Sequence, residues 1–87
     1  MNVNICPICG YDKLLEPPYD EFGIGSYEIC ACCGFEFGYT DEDENFTFES
    51  YRKEWIDKGC LFSYRKDKPE IWSLEVAFKQ LKNLDRT

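Results

Sequence analysis

Six-residue segments of one form occur twice in the chain, Cys6-Pro7-Ile8-Cys9-Gly10-Tyr11 and Cys30-Ala31-Cys32-Cys33-Gly34-Phe35. Each is C-x-x-C-G-aromatic. A lone Cys-x-x-Cys pair is compatible with thiol–disulfide chemistry. Two pairs separated by residues 10–29 have the spacing of one site with four thiolate ligands. A two-residue turn lets both sulfurs of a pair face one ion. The glycine after each pair permits the positive φ such a knuckle needs, and backbone N–H groups then turn toward the sulfurs and share their charge. Cys6, Cys9, Cys30 and Cys33 are the expected metal ligands. Four sulfurs suit zinc, and they also suit a single iron.

Competing uses of the cysteines fit less well. Residues 1–10 carry no basic start and no apolar run, so no secretory signal is expected there. No segment has the roughly 20 apolar residues of a membrane span. Together these give a cytoplasmic expectation, and stable disulfides are rare in that compartment. Neither pair sits in a βαβ pattern of the thioredoxin kind. Cys32 forms a poorer chelate with Cys30 than Cys33 does and does not precede the glycine, so it is expected to be a spare thiol and the first to meet a thiol probe. Cys60, beside Leu61 and Phe62, is expected to pack as a small hydrophobe.

Charge narrows the partners. The net charge is −7, unevenly placed: residues 1–50 hold one basic and eleven acidic side chains, whereas residues 51–87 hold nine basic and six acidic. A cysteine-rich half at −10 cannot neutralise phosphates, which takes clustered Lys and Arg. The same charge suits a protein partner with a basic surface. Arg65, Lys66 and Lys68 form a small basic cluster read as solvated, and Asp41-Glu42-Asp43-Glu44 lacks the alternation and glycine of a calcium loop. With no histidine in the chain, histidine acid–base and triad chemistry are excluded. A closed four-thiolate site also leaves no open coordination position for catalysis. No enzyme is expected.

The elements that must hold the cysteines follow from patterning. With 87 residues and 17% aromatic side chains, the chain should form one small packed domain in need of a staple, which a metal supplies. Alternation around each pair predicts short strands near 3–5, 11–15, 26–29 and 35–40, arranged as two strand–knuckle–strand hairpins within 1–45. Pro17-Pro18 and Gly23/Gly25 mark an acidic loop between them. Thr47 is a good N-cap, with Phe46 and Tyr51 at the staple positions and Gly59 as a stop, which predicts a helix over 48–58. Asp67 and Glu70 have capping-box spacing with Pro69 in the first turn. A second helix is therefore expected over 69–84, its stripe of Ile71, Leu74, Ala77, Phe78, Leu81 and Leu84 facing the core. The fold class is α+β, a ribbon of 1–45 with two helices from 46–87 packed on it.

The knuckles, with Ser26-Tyr27-Glu28-Ile29, Phe35-Glu36-Phe37-Gly38-Tyr39, Phe48-Glu49-Ser50-Tyr51-Arg52 and Trp55, resemble small uncharacterised bacterial cysteine-rich proteins of the CPCC-type zinc-ribbon kind, and the paired knuckles are similar to those of rubredoxin. The resemblance covers most of the chain. It implies one structural zinc per chain and no catalytic residues. Ile8 stands where the family's first motif has a cysteine, and Cys32 adds one in the second. The leading expectation is a non-enzymatic zinc-ribbon module that binds another protein. A mononuclear iron electron carrier, an acidic immunity or antitoxin-like protein and a nucleic-acid-binding ribbon, which the charge disfavours, are the alternatives.

Overall fold

In the computed structural model, which describes residues 4–86, two helices follow a long non-helical segment that carries both cysteine pairs. Helix α1 spans Phe48–Asp57 and helix α2 spans Leu74–Leu81, with a short 3-10 turn at Arg65–Asp67 between them and another at Lys82–Arg86 after them.

Where strand–knuckle–strand hairpins are expected, the described residues form hydrogen-bonded loops with almost no strand. Among the described residues the ladder is reduced to two isolated antiparallel bridges, Tyr19 with Gly25 and Ile29 with Glu36. Part of the expected strand at 3–5 lies outside the described residues. Backbone geometry explains why the expected strands at 26–29 and 35–40 are so short. Tyr27 has φ +62° and Gly38 φ +100°, and either ends an extended run. Beyond Phe37 the chain curls back on itself, with Thr40 N donating to Glu36 O (3.0 Å) and Asp43 N to Tyr39 O (2.7 Å). Asp41 fixes that curl by accepting from Gly38 N at 2.8 Å and from the Tyr19 hydroxyl at 2.7 Å. Phe35 and Phe37 are therefore buried while Tyr39, the next in the alternation, is exposed.

Helix α1 forms as its sequence predicts. Thr47 Oγ1 accepts from Ser50 N and Ser50 Oγ accepts from Thr47 N, both at 3.0 Å, so serine closes the capping box. The rings of Phe46 and Tyr51 meet edge-on at 5.2 Å across the cap. At the other end Gly59 N donates to Ile56 O and Cys60 N to Trp55 O, a Schellman closure that needs the φ of +95° at Gly59.

Helix α2 begins five residues later than the capping box of Asp67 and Glu70 implies. Its N-cap is Ser73, whose hydroxyl accepts from Val76 N. Trp72 sets this start from outside the helix: its indole N–H donates to Cys60 O at 2.9 Å and its ring stands edge-on to Phe62 at 5.1 Å. The apolar stripe is correspondingly less buried than expected. Ala77 is fully buried, Leu81 partly so, but Ile71, Leu74 and Phe78 are exposed.

Phe35 joins the cysteine-bearing segment to α1. Its buried ring packs on Phe37, Phe48 and Tyr51 at centroid distances of 5.6, 5.8 and 5.0 Å. Such aromatic pairs contribute about 0.5–1.5 kcal/mol each beyond their buried area. The core formed this way is continuous with the cysteines.

Candidate metal centre

The two knuckles are built by the same hydrogen bonds. Cys6 N donates to Tyr11 O and Gly10 N to Cys6 O, and one motif later Cys30 N donates to Phe35 O and Gly34 N to Cys30 O, all at 2.8–2.9 Å. Both glycines have φ +83°. Each turn aims its two cysteines at a common point, and Ile8 N faces Cys6 Sγ at 3.4 Å, the expected N–H toward sulfur. Glu28 ties the two halves together by accepting from Leu15 N and Glu16 N at 2.9 and 3.2 Å.

The structure brings all four expected ligands together. The sulfurs of Cys6, Cys9, Cys30 and Cys33 lie within 4.8 Å of one another, and all four residues are buried. Cys6 and Cys33 sulfurs are 3.7 Å apart and Cys9 and Cys30 sulfurs 3.6 Å apart. Four sulfurs about 2.3 Å from a tetrahedral zinc would be about 3.8 Å from each other. The cluster thus has the donor set, and two of its edges the dimensions, of a four-thiolate site that could hold one metal ion.

Cys32 and Cys60 are outside this cluster. Both are fully buried. For Cys60 this is the expected packing. For Cys32 it overturns the expectation of the first-labelled thiol: its sulfur points away from solvent and accepts from the Gln80 amide at 3.3 Å.

The helices clamp the outward-facing carbonyls of the knuckles, a role the sequence pattern does not reveal. Arg52 on α1 donates from Nε to Ile8 O at 2.6 Å and from Nη2 to Pro7 O at 2.8 Å. Gln80 on α2 donates to Cys9 O at 3.1 Å, and Asn83 just beyond it to Gly10 O at 2.8 Å. Around the second knuckle the Tyr51 hydroxyl donates to Cys33 O at 3.1 Å, while Ser63 N and Tyr64 N donate to Cys32 O and Ala31 O. Burial, with the Cys33 sulfur charge added, pushes the Tyr51 hydroxyl up to about 12, so it stays a donor. The one signal in the sequence is the i,i+3 spacing of two amides, Gln80 and Asn83, at the end of an apolar stripe.

Arg52 is the clamp with the strongest geometry, because one planar fork serves two carbonyls. Replacing it by lysine keeps the charge and loses the fork. Arg52→Lys is expected to lower stability by about 1–3 kcal/mol and to speed metal loss to a chelator. Urea unfolding and chelator kinetics measure both, and unchanged values would remove Arg52 from the account.

In the metal-free cluster the thiols share their protons unequally. Burial first, and neighbouring sulfurs second, push Cys9 and Cys33 well up, whereas hydrogen bonds from Cys33, Cys6 and Cys9 hold Cys30 down. Cys9 and Cys33 are therefore protonated at neutral pH, and a cation must displace those protons. Metal affinity is expected to rise with pH and to weaken as pH falls. Loading in a lightly buffered solution with an indicator dye should release at least the two protons of Cys9 and Cys33; release of none would contradict coordination by all four thiolates.

No helix among the described residues is long and apolar enough to cross a membrane. No protein-family model matches the chain, and no solved structure matches it. Two proteins of Bacillus subtilis strain 168 are similar over nearly its whole length. The uncharacterised protein YoaQ is 34% identical, covering 92% of this chain and 85% of its own. The uncharacterised protein YozI is also 34% identical, covering 92% of this chain and 84% of its own.

Proposed function

The chain belongs to the same family as YoaQ and YozI of Bacillus subtilis, and from its buried four-sulfur cluster we propose that it is a non-enzymatic protein with one structural zinc. The single observation carrying this reading is the approach of Cys6, Cys9, Cys30 and Cys33 to a spacing a tetrahedral ion would fill. The two knuckles form a rubredoxin-like ribbon, and the helices serve as its clamp. Zinc is favoured over iron because all four ligands are buried, as in a closed structural site. All six thiols are free, which fits a reducing compartment.

The ribbon presents its charge to another protein. Its −10 over residues 1–50 becomes about −12 once a divalent ion sits among four thiolates. Such a field steers a basic partner and raises the association rate more than the final affinity.

Elemental analysis of untagged protein prepared without added metal, with a visible spectrum, tests the proposal. One zinc per chain and a colourless solution is the expected result. One iron with visible charge-transfer bands would replace the structural role by electron transfer.

A further inference from the structure

A cavity of about 450 Å³ opens beside Cys33, against the start and end of α1. Three of its lining residues are aromatic, Phe46, Tyr51 and Trp55, and two carry carboxylates, Glu44 and Glu54. Its size lies in the range of small-ligand sites. Neither carboxylate has a hydrogen-bond or ion-pair partner among the described residues; the neighbouring Lys53 pairs with Asp57 instead. Lys58 is the one basic residue in the lining, and it too has no side-chain partner there. The lining therefore sets two carboxylates against a single lysine beside aromatic side chains, of which Phe46 and Tyr51 are partly exposed and Trp55 is buried. Cys33 places the charge of the sulfur cluster behind them.

We propose that this cavity receives a guanidinium side chain from a protein partner. The proposal rests on the reading of a basic partner given above and says where that partner is held. A guanidinium is favoured over an ammonium because it is planar, stacks on aromatic rings and bonds carboxylates with a fork of donors, and because it is more weakly hydrated. A phosphate or carboxylate ligand would meet the repulsion of Glu44 and Glu54. Lys58 acts as a competitor at the lining: its removal should help the ligand, and loss of Glu54 should hinder it.

The experiment is a titration of the zinc-loaded full chain, its zinc content measured beforehand, followed by two-dimensional amide NMR. The probes are acetyl-Gly-Arg-Gly-amide and its lysine and glutamate counterparts. The arginine peptide is expected to give saturable shifts at Phe46, Trp55 and Ser63, with the lysine peptide weaker and the glutamate peptide silent. Glu54→Gln is expected to weaken arginine binding about threefold, and Lys58→Gln to strengthen it about twofold. Glu54 and Lys58 are exposed, so neither variant threatens the fold, and unchanged spectra elsewhere verify that. Equal response to lysine and arginine would overturn guanidinium recognition. Shifts confined to the acidic residues 20–28 or 41–43 would overturn the cavity while leaving the steering by the acidic half intact. Silence from both cationic peptides would overturn the cavity and take support from the basic partner as well.

Discussion

Cys9→Ala is expected to abolish both metal binding and the cooperative fold. The reason is one of magnitudes. A structural zinc contributes about 10–16 kcal/mol of apparent binding free energy at neutral pH, while a domain of ordinary stability has about 5–15 kcal/mol in total. The regular structure among the described residues is slight: α-helices of ten and eight residues, two short 3-10 turns and two isolated bridges. The first knuckle is held by its own turn, by the side-chain clamps and by the burial of Cys6, Ile8 and Cys9 around the sulfur cluster. Removing one sulfur leaves three buried thiols around a hole at the centre of the core cluster. The variant should show no bound metal, lose the near-ultraviolet dichroism of its packed aromatics and give collapsed amide dispersion. Cys60→Ala, which deletes a buried sulfur outside the cluster, is the control, and it should keep its metal and its fold.

Gly10→Ala should be the most damaging glycine substitution of the set Gly10, Gly34 and Gly23. At Gly10 a Cβ would run into the backbone carbonyl of Gln80, and the residue also has φ +83°. Left-handed strain costs about 1–2 kcal/mol and forced overlap in a packed interior about 1–3 kcal/mol, so a loss of about 2–5 kcal/mol is expected. The overlap also pushes away the residues that clamp the first knuckle, Gln80 on Cys9 O and Asn83 on Gly10 O. At Gly34, with the same φ, the nearest atom to a Cβ is the Ser63 hydroxyl at 2.9 Å, the end of a side chain that can rotate. At Gly23 no atom lies within 4 Å, and only the strain of φ +80° remains. Urea midpoints should fall in the order Gly10, Gly34, Gly23 from largest loss to smallest. A Gly10→Ala variant as stable as Gly23→Ala would mean that α2 does not seat on the first knuckle.

These two predictions draw on features of different legibility. The four cysteines gathered in the cluster could be named from their spacing alone, because a chelating turn is local chemistry. Helix α1 was equally legible: Thr47, the Phe46–Tyr51 pair and Gly59 lie within the helix or within two residues of it, and each acts on its own neighbourhood. The start of α2 was not. Asp67 and Glu70 have the spacing of a cap, but Trp72 is held by Cys60 O twelve residues earlier, and that tertiary bond passes the cap to Ser73.

The alternation of Phe35, Phe37 and Tyr39 likewise promised a longer strand than the positive φ at Gly38 allows. The clamps were the least visible part of the site. Arg52 serves carbonyls 44 and 45 residues away and Asn83 one 73 residues away, so no local pattern pairs them with the knuckles they hold. Cys32 reads as a spare thiol in sequence because its cover, Gln80, comes from the far end of the chain.

Following aromatic near-ultraviolet dichroism while a strong chelator withdraws the metal, then while zinc is returned, tests the central claim most directly. The account predicts that the signal collapses as metal leaves and that one equivalent of zinc per chain restores it. Full tertiary signal in protein shown to be metal-free, with all six thiols reduced, would contradict it.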